Sequence, residues 1–242
     1  MRMFFLPRRT LVGASMLTVV LALVAAVQML GTNGQVTAWV SAGLGPEAPV
    51  LTAGRAADAV TLLIEVEDET AADVSALLGL LADNNARAAF FISRAFAENN
   101  RDTVLAIMAG GHQLGVLGTA PGADYGASLA DMAQTVALLE EISGETALIY
   151  LPANGLAEAE ARRAAQSCGL MFVLGGVDSG DWQAETAEQI IAQVLQQTEA
   201  GSFISISPGE KSLAALNVIL PELAAKGLFC RTVEENLAES GE

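Results

Sequence analysis

From Ala59 onward, short apolar runs alternate with stretches whose apolar positions recur every three to four residues. The runs are AVTLLIEV (59–66), RAAFFIS (87–93), HQLGVLG (112–118), TALIYLP (146–152), LMFVLGG (170–176), GSFISIS (201–207) and LFCRTVE (228–234). Between them lie amphipathic stretches such as ETAADVSALLGLLADNNA, SLADMAQTVALLEEISG, LAEAEARRAAQSCG, TAEQIIAQVLQQT and KSLAALNVILPELAAKG. Continuous apolar runs of this length fit strands buried on both faces, and the stretches between them fit helices packed over those faces. Ser128 is placed to open one helix, and Gly144, Gly169 and Gly227 stand just past the last periodic residue of three others. Strict strand and helix alternation means parallel strands joined by helical crossovers, since parallel neighbours cannot be linked by a tight turn. The pattern predicts an α/β fold of seven strands, either an incomplete (β/α) barrel or an open doubly wound sheet.

Upstream of Ala59 the pattern changes twice. Residues 10–31 carry no charge and follow Arg2, Arg8 and Arg9 in the basic tail 1–9. About 20 apolar residues suffice to cross a bilayer as a helix. The run is longer than the apolar part of a secretory signal, so an uncleaved transmembrane anchor is expected. Basic residues before it and none after it until Arg55 put the N-terminus in the cytoplasm and the remaining domain outside. Residues 32–58, rich in Gly, Ala and Pro without a helical stripe, are expected to be a spacer, with VTAWV as a possible short strand, leaving 59–242 as the folded domain.

Charge narrows the choice of partner. Setting aside the three N-terminal arginines, 9 basic residues face 28 acidic ones, a formal charge of −19. Such a surface repels nucleic acid and anionic lipid. Cys168 and Cys230 both fall on elements expected to face a core, where buried thiols are commoner than a disulfide.

Both candidate architectures gather ligand chemistry at the carboxyl ends of the strands. Those ends read EVEDE (65–69), SRAF (93–96), LGTAPG (117–122), LPANG (151–155), VDSGDW (177–182), SPGE (207–210) and VEEN (233–236). In this order, with NNARAAFFIS between the first two, GGHQLG opening the third strand and GLMFVLGGVDSGDW forming the fifth, the chain resembles the polysaccharide deacetylase family, the NodB homology domain of carbohydrate esterase family 4. The stretches AGSFISISPG and ALNVILPELAAKGLFCRTVEENL are similar to that family's closing strand, helix and strand. The resemblance spans Val60 to Leu237, and the anchor and spacer look most like sporulation-type members. It implies a distorted, incomplete (β/α)7 barrel.

The resemblance also implies removal of acetyl groups from N-acetylglucosamine residues of chitin or peptidoglycan by a divalent metal, such as zinc, held by one aspartate and two histidines. Motif by motif, the required groups are missing. The family's Thr-Phe-Asp-Asp-Gly-Pro corresponds to LIEVED, with Glu65 at or near the first aspartate and Val66 at the second. Its His-(Ser/Thr)-X-X-His corresponds to a segment with Leu117 and Pro121 at the two ligand positions, and its Arg-Pro-Pro-Tyr-Gly to LPANG. Ser207 stands for the histidine that protonates the leaving amine, while the aspartate-rich turn ending in tryptophan survives as VDSGDW.

Read without the family, the residues agree. A zinc-type centre takes three side chains from His, Asp, Glu and Cys. His112 is the only imidazole, and it sits at the start of a strand, away from the expected cleft, as a structural histidine. Glu65, Glu67, Asp68 and Glu69 could bind a hard cation through oxygen alone, but an acidic turn entering a helix is the plainer account. Glu65 is the candidate general base; without an acid or an electrophile it supplies only part of the gain from proton transfer. Asp178, Asp181 and Trp182 are the candidate sugar-binding residues, because an indole face beside carboxylate acceptors suits a pyranose ring; alternatively Trp182 packs over the barrel mouth and Asp181 caps a turn. Ser207 has no base predicted beside it and is not read as a nucleophile. The expectation is a membrane-anchored deacetylase-like protein without a bound metal, inactive as a hydrolase, that binds cell-wall glycan or another envelope protein. An active deacetylase with an atypical site and a purely structural envelope or sporulation partner are the alternatives.

Overall fold

The computed structural model describes residues 48–67, 70–118, 122–153 and 155–238. The expected basic tail and membrane anchor, and the VTAWV segment, lie outside the described residues; among those described, no helix is long and apolar enough to cross a membrane. Among the described residues, nine strands form one parallel sheet: β1 (Val50–Leu51), β2 (Ala59–Val66), β3 (Ala89–Ile92), β4 (Gln113–Gly118), β5 (Ile149–Pro152), β6 (Met171–Val173), β7 (Val177–Asp178), β8 (Phe203–Ile206) and β9 (Phe229–Cys230). Their order is β1-β6-β5-β4-β3-β2-β8-β7, with β9 added beside the start of β2. This is the incomplete (β/α) barrel, not the doubly wound sheet.

Each predicted apolar run contains a strand, and burial explains why. In β2, Val60, Leu62, Ile64 and Val66 face the helices in the larger core, while Leu63 faces the barrel interior. Both faces are dry, so no polar alternation is visible in the sequence. The inner core is a compact set: Leu63, Ala89, Phe91, Leu117, Ile149, Leu151, Val173, Phe203 and Val233. The crossover helices are α1 (Ala71–Asp83), α2 (Arg94–Asn99), α3 (Arg101–Ala109), α4 (Tyr125–Ser143), α5 (Ala159–Ser167), α6 (Ala187–Gln197) and α7 (Glu210–Ala225), followed by a short α8 (Val233–Leu237). Helix α1 buries Val74, Leu77 and Leu81, and α6 buries Ile190 and Val194, at the three- and four-residue spacings read from the sequence.

Three details differ from the sequence reading. Helix α4 is capped by Asp124, whose carboxylate accepts the Ala127 N–H at 2.8 Å, so Ser128 lies inside the first turn rather than before it. The seventh run ends as a strand at Cys230, because Thr232 and Glu235 form a reciprocal capping box that starts α8 at Val233. Strands β1 and β7 are only two residues long and leave no periodic signal. Residues 50–56 lie against the sheet: β1 pairs with β6, Gly54 N–H donates to Gly201 O at 2.7 Å, and Arg55 N–H donates to Asn236 O at 2.7 Å.

The break between β6 and β7 places the candidate site. Met171–Val173 lies between β1 and β5 near one edge of the sheet, yet Val177–Asp178, a few residues later, pairs with β8 at the other edge. The chain therefore crosses the gap in the barrel at Leu174–Gly176. Two glycines make the crossing possible: a Cβ on Gly175 would stand 2.3 Å from Ser205 Oγ, and one on Gly176 would stand 2.6 Å from the Thr52 carbonyl. The crossing delivers Asp178, Asp181 and Trp182 to the carboxyl end of the sheet.

Candidate functional site

Strands β2, β7 and β8 end side by side. Ile64 is in register with Ile206, and Asp178 with Ser205, so Glu65, next to last in β2, stands level with Ser207, which follows the end of β8. A cleft of about 400 Å³ opens there, lined by Glu65, Glu67, Asp178, Asp181, Trp182 and Ser207 over an apolar wall that includes Leu151, Leu174 and Ile206. Its volume lies within the range of small-molecule sites. All four sequence-predicted site residues, Glu65, Asp178, Asp181 and Trp182, are thus brought to one cleft.

Each is held differently. Asp181 is a clasp: its Oδ2 accepts the Ser207 backbone N–H at 2.7 Å, and its Oδ1 accepts the Ser179 hydroxyl at 3.0 Å. It ties the turn to the end of β8, as the turn-cap reading anticipates. Asp178 is exposed, and its Oδ1 accepts the Gly180 N–H at 2.8 Å, while its carbonyl accepts Gln193 Nε2 from α6 at 2.8 Å. This is an Asx-type turn, and Gly180 occupies it at a φ of +67°. Trp182 leaves 77% of its surface in solvent, so it does not pack over the barrel mouth. An indole left open beside carboxylates is available to a ligand ring.

Glu65 is the most perturbed carboxyl in the cleft. Burial, then the nearby charges of Asp181, Glu67 and Asp178, push its pKa up to about 7. Desolvation and like charge both disfavour the ionised form. None of the described residues lining the cleft is basic. The nearby Lys211 is turned to the Ala184 carbonyl, at 2.6 Å, and Arg94 pairs with Glu98 and Asp131.

The metal that the resemblance implies does not fit the donors present. Leu117, at one imidazole position, is fully buried in the inner core among Phe91, Ile149 and Leu151. Val66, set opposite the metal aspartate, points to the helix side of β2; Glu67, one residue on, lines the cleft instead. Pro121, Asp68 and Glu69 lie outside the described residues. His112, the one imidazole of the chain, lies at the start of β4 at the opposite end of the barrel. Its Nδ1 accepts the Ala88 N–H at 3.2 Å, its ring packs on Phe90, and burial followed by the charge of Arg87 lowers its pKa to about 4. Among the described residues, no group of three His, Cys, Asp or Glu side chains converges as a metal site. Glu65 can exchange a proton near neutrality, and among the described residues no imidazole and no converging set of three metal ligands accompanies it in the cleft.

Comparison with known proteins agrees with the fold. Residues 55–173 match the family model described as polysaccharide deacetylase. No curated protein matches the sequence. Among solved structures, a pseudoenzyme of the CE4 family from Bacillus anthracis is similar at a TM-score of 0.75 and 17% identity, covering 81% of this chain and 71% of its own. A mutant of that pseudoenzyme with restored enzymatic activity is similar at 0.74 and 16%, covering 81% and 73%. A peptidoglycan N-acetylglucosamine deacetylase, Bc1960, is similar at 0.71 and 24%, covering 81% and 95%.

Proposed function

We propose that this chain, a polysaccharide deacetylase-like protein of the NodB type, keeps the family's cleft as a glycan-binding surface and has lost metal-dependent deacetylation. The observation that carries this reading is the exchange at Leu117: a position that the resemblance assigns to a metal-ligating imidazole is packed without solvent exposure in the barrel's inner core. With one histidine in the whole chain, and that one bonded to Ala88 at the other end, a two-imidazole centre cannot be assembled. The rim is kept by contrast. The glycine crossing, the Asp178–Gly180 turn and the open indole of Trp182 hold a sugar-sized cleft in shape. Similarity to a protein described as a pseudoenzyme supports the loss of hydrolysis, and similarity to a peptidoglycan deacetylase supports a glycan as ligand. The charge-free segment 10–31 behind three arginines supports display of this cleft from a membrane on the extracytoplasmic side.

One observation favours a second reading, an active deacetylase with an unorthodox site: Glu65 titrates near neutrality, as a general base should. The two readings separate in one assay. The full chain is incubated with chitooligosaccharides and with peptidoglycan in the presence of zinc, cobalt or manganese, and acetate release and bound metal are measured. The expected result is retention of glycan, no acetate and no stoichiometric ion, with retention lost in Trp182→Ala. Acetate released over time from a stoichiometrically metallated protein would overturn the proposal and establish the second reading. Glycan retention unchanged by Trp182→Ala would remove the sugar-binding role from this turn.

A further inference from the structure

The ligand of the cleft can be specified further. The cavity is about 400 Å³, within the range of small-molecule sites, with an indole and four carboxylates, Glu65, Glu67, Asp178 and Asp181, among its lining residues. None of the described lining residues is basic. In a site that held a metal ion, such carboxylates would be balanced by it; here Leu117 has closed the imidazole position while the acids remain. Their charge is felt locally, since Asp181, Glu67 and Asp178 each act on Glu65. A single small cation does not resolve the imbalance, because no three of the described acids converge. A ligand with cationic groups attached to rings does: each ring covers apolar wall or indole while its charge approaches a carboxylate.

Resting on the glycan-binding reading above, we infer that the cleft selects amino sugars whose amine is free, the glucosamine-type glycan left after acetyl removal, over the N-acetylated form. A neutral acetamide offers the carboxylates one weak donor and no charge. An ammonium offers three donors and a full charge, and charge-assisted hydrogen bonds are about twice as strong as neutral ones. The protein would then recognise the product of a deacetylation carried out by another enzyme.

The test is calorimetric titration of the full chain in detergent, near neutral to mildly acidic pH and low salt, with a short glucosamine oligomer and with the N-acetylglucosamine oligomer of equal length. The amine form is expected to bind at least about tenfold tighter, with the difference shrinking as salt screens the charges. Asp178→Asn should reduce that preference severalfold, whereas Glu140→Gln, removing an exposed charge on α4, should leave it unchanged. Equal affinities, or preference for the acetylated oligomer, overturn the inference and leave glycan binding standing. Failure to bind either oligomer removes both readings. A preference weakened equally by the two variants marks general attraction to the acidic surface and likewise overturns the inference.

Discussion

The two ends of the barrel are built on opposite principles. At the amino end, charges are paired and buried polar groups are bonded, the Asn236 Oδ1 alone among the described residues there lacking a partner. Arg87 pairs with Glu235 at 2.7 Å and Arg231 with Asp58 at 3.4 Å. His112 stays neutral with its ring nitrogen occupied. Asn236, fully buried, donates to Thr61 Oγ1 at 3.0 Å and to the Gly201 carbonyl at 3.4 Å, while its own carbonyl accepts from Arg55 and Ala56. At the carboxyl end, four carboxylates share a cleft without a basic partner among its described lining residues, and one of them is driven to a pKa near 7. The first arrangement lowers the energy of the fold; the second raises it. Unrelieved repulsion concentrated in a cleft is the mark of a binding surface rather than of a structural one.

That contrast is broken most strongly at the amino end. Asn236→Ala removes a buried amide that donates to Thr61 Oγ1 and to the Gly201 carbonyl. Thr61 Oγ1 still donates to the Thr232 carbonyl at 3.3 Å and Gly201 O still accepts the Gly54 N–H at 2.7 Å. The cost is therefore that of two lost hydrogen bonds, about 0.5–1.5 kcal/mol each, and of the cavity left behind. A loss of roughly 2–3 kcal/mol is expected in urea unfolding, with glycan affinity of the remaining folded protein unchanged. A loss below about 1 kcal/mol would show that water replaces the amide and that this end is not the locked one.

At the cleft the sign reverses. The native Glu65 carboxyl titrates at about 7, against an ordinary value of 4.5. As pH rises from 4.5 to 7 the unfolded chain releases this proton more readily than the native one, so native stability falls across that window and stays lower above it. Glu65→Gln removes the penalty. The variant should match the parent at about pH 4 and exceed it by roughly 2 kcal/mol at about pH 8, the shift being discounted for residual solvent access. Equal stability at both pH values would mean that the cleft carries no repulsion worth relieving.

Legibility in the sequence follows the same division. Buried parallel strands demand unbroken apolar runs, so each of the seven runs contains a strand, and the glycines after α4, α5 and α7 adopt the left-handed conformation that their positions imply. The helix start at Asp124 was displaced by Ser128 because both residues can cap, and only the tertiary path of the chain chooses between them. The Thr232–Glu235 capping box was readable as Thr-Val-Glu-Glu but was masked by the apolar run before it. In the site, alternation along β2 separates Leu63 and Glu65 from Val66, which is how Glu67, not residue 66, comes to line the cleft. The meeting of Glu65 with Asp178 and Asp181 depends on the chain changing edges at Gly175 and Gly176. No local pattern encodes that exchange; the glycine pair is its only trace.

The smallest expected effect sharpens the comparison, because it tests whether the ends are independent. Thr232 accepts the Glu235 N–H at 3.2 Å, and Glu235 reaches back to the Thr232 N–H at 3.1 Å while also pairing with Arg87. Through this box α8 is started in the direction that inserts Val233 into the inner core. Thr232→Ala removes one half of the box and should cost about 1 kcal/mol, read as a lower urea midpoint at unchanged slope. Between α8 and the cleft stand Leu63, Phe91 and Phe203, all without solvent exposure, and a packed layer of that kind passes on little from one fraying turn. Glu65 should therefore titrate near 7 in the variant as in the parent, followed by the carboxyl signal in NMR. A Glu65 pKa that moved with Thr232 would show that the cleft's repulsion is balanced through α8, and that the two ends of the barrel are one system.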